Sequence, residues 1–340
     1  MNNETWQKLL SLESRDIVAM RFKAIHGREL NARRAKEITA AAKQAREFFR
    51  NAHIANTSVK PLLTFYGVAS LARAMTLLLK RDGGEECLTK GHGIETVDWS
   101  KQLSGELSVG IEAVSGLKIR TCSGLFADFA KETKNRLSMH VRSGAVDWRL
   151  NYRQPTLGDE IHLEDLLARL PDLRNEHAVI ATVPKYVTIN EMLFDITKGV
   201  NIKIPTKAFE VFKSDYAAVG YNMQDAGELT IMTGSPDLMN EHTPQFAHTY
   251  VHKMFGAIPN LFLVAPMPTG NRYSQLCITY MVGYVLGMLA RYFPTHWVAL
   301  AQGEKGDALW PTLNQAHRIV EETFPELVAE MIEDILANPQ

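Results

Sequence analysis

Residues 61–80 read PLLTFYGVASLARAMTLLLK, a run in which Arg73 and Lys80 are the only charges. Hydrophobicity on every face predicts a helix that is buried all round. Pro61 suits its first turn, and Asp82, Gly83 and Gly84 end it. Upstream, Ile38, Ala41, Ala42, Ala45, Phe48, Phe49 and Ala52 form one i, i+3, i+4 stripe in the alanine-rich run from Ala32 to Ala52, the mark of a helix packed through one face. Before it, Trp6, Leu9, Leu10, Ile17 and Val18 also keep helical spacing.

Downstream of about Leu103 the pattern changes to short β-rich pieces: Leu107 to Val114, Leu117 to Thr121, Val179 to Ile189, Val200 to Phe212 and Glu228 to Met232. Val200, Ile202 and Ile204 alternate with Asn201 and Lys203, as in a half-buried strand of an antiparallel or mixed sheet. Leu163 to Leu170 reads as a short helix begun by Glu164 and Asp165 and stopped by Pro171. From Tyr273 the chain returns to helix, and Thr312 to Ala337 reads as an amphipathic closing helix broken near Pro325. The expectation is an α+β fold: a helical region over 1–100, a β-rich middle over 101–272 and a helical region over 273–340, with the two ends packed together.

Lys plus Arg number 37 against 38 Asp plus Glu, so no global field draws the chain to nucleic acid or to an anionic membrane. Any such contact must be a local patch. Cys87, Cys122 and Cys277 are far apart without CxxC spacing, which excludes a disulfide framework or zinc knuckle and fits a reducing compartment. The opening MNNETWQKLLSLESRDIVAM mixes charges through its apolar positions, unlike a secretory signal, so cytoplasmic residence is expected. Tyr273 to Ala290 is uncharged and carries Gly283 and Gly287 as GxxxG, but Ser274, Gln275 and Thr279 suit a buried core helix better than a membrane span.

Several segments together are similar to the YaaC-like family of bacterial proteins: AREFFRNAH (45–53), KPLLTFYGVASLARAMTLLL (60–79), KGHGI (90–94), GLFADF (124–129), HLEDLLARLPDL (162–173) and YMVGYVLGMLARYFPTHW (280–297). Their order and rough spacing match over most of the chain. The resemblance implies no settled activity. The family's amino-terminal helices resemble the HEPN class of helical domains, whose ribonuclease members use an Arg and a His with four to six residues between them, commonly across a dimer interface.

Two pairs have that spacing, Arg21 with His26 and Arg46 with His53; Arg136 and His140 are one residue too close. Arg21 and His26 suit a solvated helix end before Gly27. Seven residues put Arg46 and His53 on one side of a helix with Arg50 between them, so the three can converge on one anion. A guanidinium would polarise a phosphate and an imidazole would move a 2′-hydroxyl proton. A charged flank that only keeps the helix soluble would lie in the same place.

His92, within Lys90-Gly91-His92-Gly93, is a second binding candidate, in a turn where backbone can approach a ligand or where the glycines serve only the turn. Arg291, Tyr292, His296 and Trp297 could line a base-stacking pocket, although Tyr292 and Trp297 also read as core aromatics. His248 and His252, with His242 near, lack the Glu of HExxH and read as a structural face, and no phosphate loop or nucleophile elbow is present. No metal and no cofactor is therefore expected. The acidic Glu321, Glu322, Glu330, Glu333 and Asp334 read as solvated positions. These residues point to Arg46 and His53 as catalytic candidates, with Arg50, His92 and Arg291 as binding candidates, in a protein directed at RNA or a nucleotide in bacterial stress or phage defence. The alternative is a non-catalytic adaptor whose apolar helices form a homo-oligomer or hold a partner protein. No membrane partner is expected.

Overall fold

The computed structural model describes residues 3–142, 147–177, 184–195, 197–210, 212–241, 247–249, 261–306 and 308–337. Four helices open the chain: α1 (Asn3–Leu10), α2 (Arg15–His26), α3 (Ala32–Ile54) and α4 (Lys60–Leu79). Local chemistry sets their ends. Ser14 Oγ accepts from Ile17 N at the start of α2, and Asn31 Oδ1 accepts from Arg34 N at 2.8 Å at the start of α3. The stripe read on α3 is the buried one: Ile38, Ala41, Ala42, Ala45, Phe49 and Ala52 are buried and Phe48 is half-buried against Tyr66. Helix α4 lies along α3 and buries residues on all sides, among them Phe65, Val68, Leu71, Met75 and Leu78.

The middle of the chain builds small antiparallel sheets. Strands β1 (His92–Val97) and β2 (Lys118–Gly124) pair, and α5 (Leu125–Glu132) follows β2 directly. Next come β3 (Arg136–Arg142), β4 (Asp147–Asn151), β5 (Glu160–His162) and β6 (Tyr186–Thr188), and β5 extends the first sheet beside β2. The second sheet has the order β7 (Glu191–Asp195), β8 (Gly199–Pro205), β10 (Leu229–Gly234), β9 (Asn222–Ala226). On β8, Val200, Ile202 and Ile204 are buried and alternate with half-buried Asn201 and Lys203, as the sequence predicts. Their face joins Phe209, Phe212, Tyr216 and Met232 in a core of its own. Strands β11 (Ala247–Thr249) and β12 (Leu261–Val264) form a third small sheet with β6.

The chain closes with α6 (Gln275–Tyr292), α7 (Pro294–Gln302) and α8 (Trp310–Ala337). Every residue of α6 from Gln275 to Ala290 is buried, so the uncharged GxxxG segment is protein core. A Cβ on Gly287 would lie 2.8 Å from Phe65 Cβ of α4, closer than side-chain carbons approach, and the bare glycine lets the two helices meet. The two helical ends thus share one hydrophobic core. Helix α4 is the one described helix long and apolar enough to cross a membrane, and 72% of its apolar window is buried inside the protein. Helices α6 and α7 pass that test only as a pair bent by 103°.

Four expectations are corrected. Leu107–Glu112 is helical, not a strand, with Ile111 buried and Val109 exposed. A short apolar run fits either period, and here the helix packs through Gly110 against the His296 ring. The β-rich piece from Val200 stops at Pro205, and Thr206–Phe209 is a helical turn. Its neighbour from Val179 lies partly outside the described residues, which show only Tyr186–Thr188 of it as strand. Helix α8 runs unbroken through Pro325, because Phe324, Leu327 and Val328 on either side of the proline are all buried in the core and hold the helix across the lost hydrogen bond. The turn around His92 belongs to a strand, β1.

Candidate functional site

Helix α3 ends at Ile54 and α4 begins at Lys60, so the short turn between them brings His53 and Lys60 to one corner of the fold. Helix α8 packs across α4 with His317 and Glu321, one turn apart, on its buried face. The Glu321 carboxylate joins the two ends: Oε1 lies 3.2 Å from His53 Nδ1 and Oε2 lies 3.2 Å from Lys60 Nζ. Glu321 is only 7% exposed, and a carboxylate out of water is costly unless cations or donors match it. Lys60 and His53 provide that match, and His53, with 53% of its side chain exposed, carries the pairing to the rim.

Behind them His317 is buried, its Nε2 2.9 Å from Thr64 Oγ1, and its ring also bonds the Lys60 backbone. Burial pushes its pKa down to about 4 against the pull of Glu321, so the imidazole is neutral at pH 7. A cavity of about 280 Å³ opens beside this cluster, walled by Trp297, Trp310, Asn56, Asn314, Lys60 and Arg318. Trp297 Nε1 donates to the Thr57 carbonyl at 2.8 Å, and the Trp310 ring meets Trp297 edge-on with centroids 5.3 Å apart. The wall therefore offers the half-buried Trp310 indole, two amides and two cations within one recess, the Trp297 ring being itself buried.

The sequence candidates fall in two places. His53 is at this corner, but Arg46 is clamped elsewhere, with Nε 2.6 Å from Glu13 Oε1 and Nη2 3.1 Å from Oε2. Those bonds hold the Arg46 pKa above the ordinary guanidinium value. Arg50 pairs with Glu47 at 2.6 Å. Glu47 also lies 3.5 Å from Arg46, so the two arginines share that carboxylate while His53 pairs with Glu321.

His92 and Arg291 lie by a second group, the aromatics of α4 and α6. The His92 ring sits 5.0 Å from Phe65 and 6.0 Å from Tyr284, and Arg291 Nη1 donates to Tyr66 Oη at 2.8 Å. Burial, and then the charges of Arg291 and Arg73, lower the His92 pKa. The glycines around His92 serve the backbone, since Gly93 has φ +78° and a Cβ there would lie 2.6 Å from the Phe126 backbone nitrogen. The quartet at the end of α6 separates, with Trp297 in the core, Tyr292 exposed and the His296 ring over Gly110.

His248 lies on β11, while His242 and His252 lie outside the described residues. Among the described residues no group of three His, Cys, Asp or Glu could hold a metal ion. Sequence reasoning missed Lys60, His317, Trp310 and above all Glu321, expected to be solvated and in fact buried. The available signal was helical phase: a step of one residue turns about 100° round the helix, so Glu321 and exposed Glu322 face opposite environments.

The model of the family described as YaaC-like Protein matches residues 6–332. No curated protein and no solved structure matches the chain.

Proposed function

This chain belongs to the YaaC-like protein family, and we propose that it binds a nucleotide, free or within RNA, in the cleft between the α3–α4 turn and α8. One observation carries the proposal: a buried carboxylate, Glu321, fixes both a cation and an imidazole beside a recess of about 280 Å³ walled by two tryptophans. The Trp310 indole can stack on a base of any sequence, Asn56 and Asn314 can meet base edges, and Lys60 and Arg318 can face a phosphate. The volume is near the lower end of small-molecule sites, about 300–1,000 Å³, which suits one nucleotide rather than a duplex.

A ribonuclease version of the proposal adds proton transfer. His53, oriented through Nδ1 by Glu321, would accept the 2′-hydroxyl proton as that oxygen bonds to the adjacent phosphorus, and the P–O5′ bond would break, the 5′-oxygen leaving with a proton from solvent water. Titration of the purified protein with AMP, followed by indole fluorescence, tests the binding step. Saturable quenching is expected, weakened at least tenfold in Lys60→Ala and preserved in Arg46→Lys. A flat titration refutes it. Total cellular RNA incubated with parent and His53→Ala then separates binding from cleavage: cleavage by the parent alone supports the ribonuclease version, and intact RNA with both removes it.

The adaptor alternative has its own support in Ile54 and Val59, exposed by 80% and 45% on the same turn. A partner protein or a second copy of the chain seated there would cover them. Sedimentation of parent and Ile54→Asp distinguishes that role, which requires a larger parent species that Ile54→Asp loses.

A further inference from the structure

A second cavity, of about 340 Å³, lies away from the α3–α4 corner, at the other end of α4. Its floor is apolar: Ile25 from the end of α2, Leu79 from the end of α4 and Ile335 from the last turn of α8. Its rim is cationic. Arg81 follows α4, Lys134 comes from the turn between α5 and β3, Arg136 begins β3, and among the described residues of the wall Glu132 is the one carboxylate.

Of these cations, Arg81 is the one that the neighbouring charges leave unmatched among the described residues. Arg136 is buried and matched to Asp334 of α8, and Arg28 pairs with Asp82 at 2.8 Å. The carbonyl end of α4, where a basic side chain would ordinarily serve as a cap, is already occupied. Arg34, only 3% exposed, donates to the carbonyls of Leu77, Lys80 and Arg81, and His26 Nε2 lies 3.0 Å from the Leu78 carbonyl. The Arg81 side chain is therefore not needed for that cap, and among the described residues it has no ion-pair partner. The His26 pKa is lowered, first by burial and then by Arg34, Arg28 and Arg81, which reports the positive field at this wall.

Lys134 adds a conformational argument. Lys134 and Asn135 both have left-handed backbone, with φ +57° and +46°, a region costly for residues with a Cβ. Asn135 is explained by its bonds: buried, it donates to the carbonyls of Arg153 and Arg272 and accepts from Ser274 N. Lys134 is exposed instead, and it stands on the cavity wall at a position where glycine would be unstrained.

We propose that this cavity is a binding site for a small organic anion, its charged head held by Arg81 and Lys134 above the Arg136–Asp334 pair and its short apolar part seated on Ile25, Leu79 and Ile335. The site is independent of the nucleotide cleft, so either can fail alone. Two head groups share the chemistry, a carboxylate and a phosphate monoester.

Calorimetric titration of the full chain with hexanoate and with hexyl phosphate, beside hexylammonium and hexanol as controls, tests the proposal. One or both anions should bind saturably and at least tenfold more tightly than either control, and the tighter of the two identifies the head group. Arg81→Glu, at an exposed position, should weaken that anion at least tenfold. Lys134→Gly should weaken it several-fold with a melting temperature no lower than the parent's, because the substitution removes the cation and relieves the backbone together. Equal binding of hexylammonium, unchanged affinity in Arg81→Glu, or no saturable heat with either anion would overturn the assignment.

Discussion

His317 should make the protein lose stability as the solution is acidified, and a single substitution should expose its share. The ring is buried, satisfied by Thr64 Oγ1 and the Lys60 backbone, and its pKa in the folded chain is pushed down to about 4. In the unfolded chain an imidazole titrates near 6.5. Between those two values the unfolded chain binds a proton that the folded chain does not, so stability must fall as pH drops from about 6.5 towards 4. At 1.36 kcal/mol per unit, the full loss is on the order of 3 kcal/mol. For 340 residues, at about 2.1 cal/mol/K of unfolding entropy each, this is a fall of about 4–5 °C in melting temperature. Other groups also titrate in this range: His26, His92 and His296 are lowered too, chiefly by burial. The measurement is therefore the difference between parent and His317→Gln, an amide that can still bond Thr64 and the Lys60 carbonyl. Scanning calorimetry at pH 7, 6, 5 and 4.5 should show the variant destabilised at pH 7 and closing on the parent as pH falls. A parent–variant gap that is constant across the series would show that His317 is not held neutral by burial.

Glu321→Gln leaves Lys60 and His53 without their shared carboxylate. Both can turn partly to solvent, so the expected cost is about 1–2 kcal/mol rather than the 3–5 kcal/mol of a sealed pair. The same change at exposed Glu322, whose partner Arg318 is 3.6 Å away, should stay within about 0.5 kcal/mol in urea titration. Equal effects at the two positions would place Glu321 on the surface. Gly287→Ala puts a methyl group 2.8 Å from Phe65 Cβ and 3.3 Å from the Pro61 carbonyl, and should cost about 1–3 kcal/mol by forcing α4 and α6 apart. An unchanged denaturation midpoint would mean that the helices do not touch there.

The parts of the fold legible in the sequence are those where one periodicity had no rival. The stripe on α3, the all-round hydrophobicity of α4 and α6 and the alternation along β8 each fit a single element. Leu107, Val109 and Ile111 fit two, and what decided between them was His296, which occupies the space beside Gly110 from far along the chain. Pro325 misled in the opposite direction, since a local rule for breaking helices was outweighed by burial of the residues around it. The site followed the same division. His53 stood out by its spacing from Arg46, yet the groups it works with come from the next helix and from α8. Arg46 turned instead to Glu13, a carboxylate before α2 that no spacing rule connects to it.

The packing of the two ends explains why the cleft exists at all. Lys60 and Thr64 reach Glu321 and His317 only because α8 lies against α4, and α8 is held there through α6, whose Gly283 faces Val320 of α8 and whose Gly287 faces Phe65 of α4. The small residues that looked like a membrane dimerisation motif are thus what bring a buried carboxylate to the histidine at the end of α3. A cut between the amino-terminal helices and the remainder would leave Phe65, Val68 and Leu71 uncovered on one fragment and Glu321 without its cations on the other. Cleft and core are therefore expected to be lost together in limited proteolysis. That coupling is also why the three substitutions need to be compared: Gly287→Ala perturbs the cleft through the core, whereas His317→Gln and Glu321→Gln alter the cleft's own polar contacts.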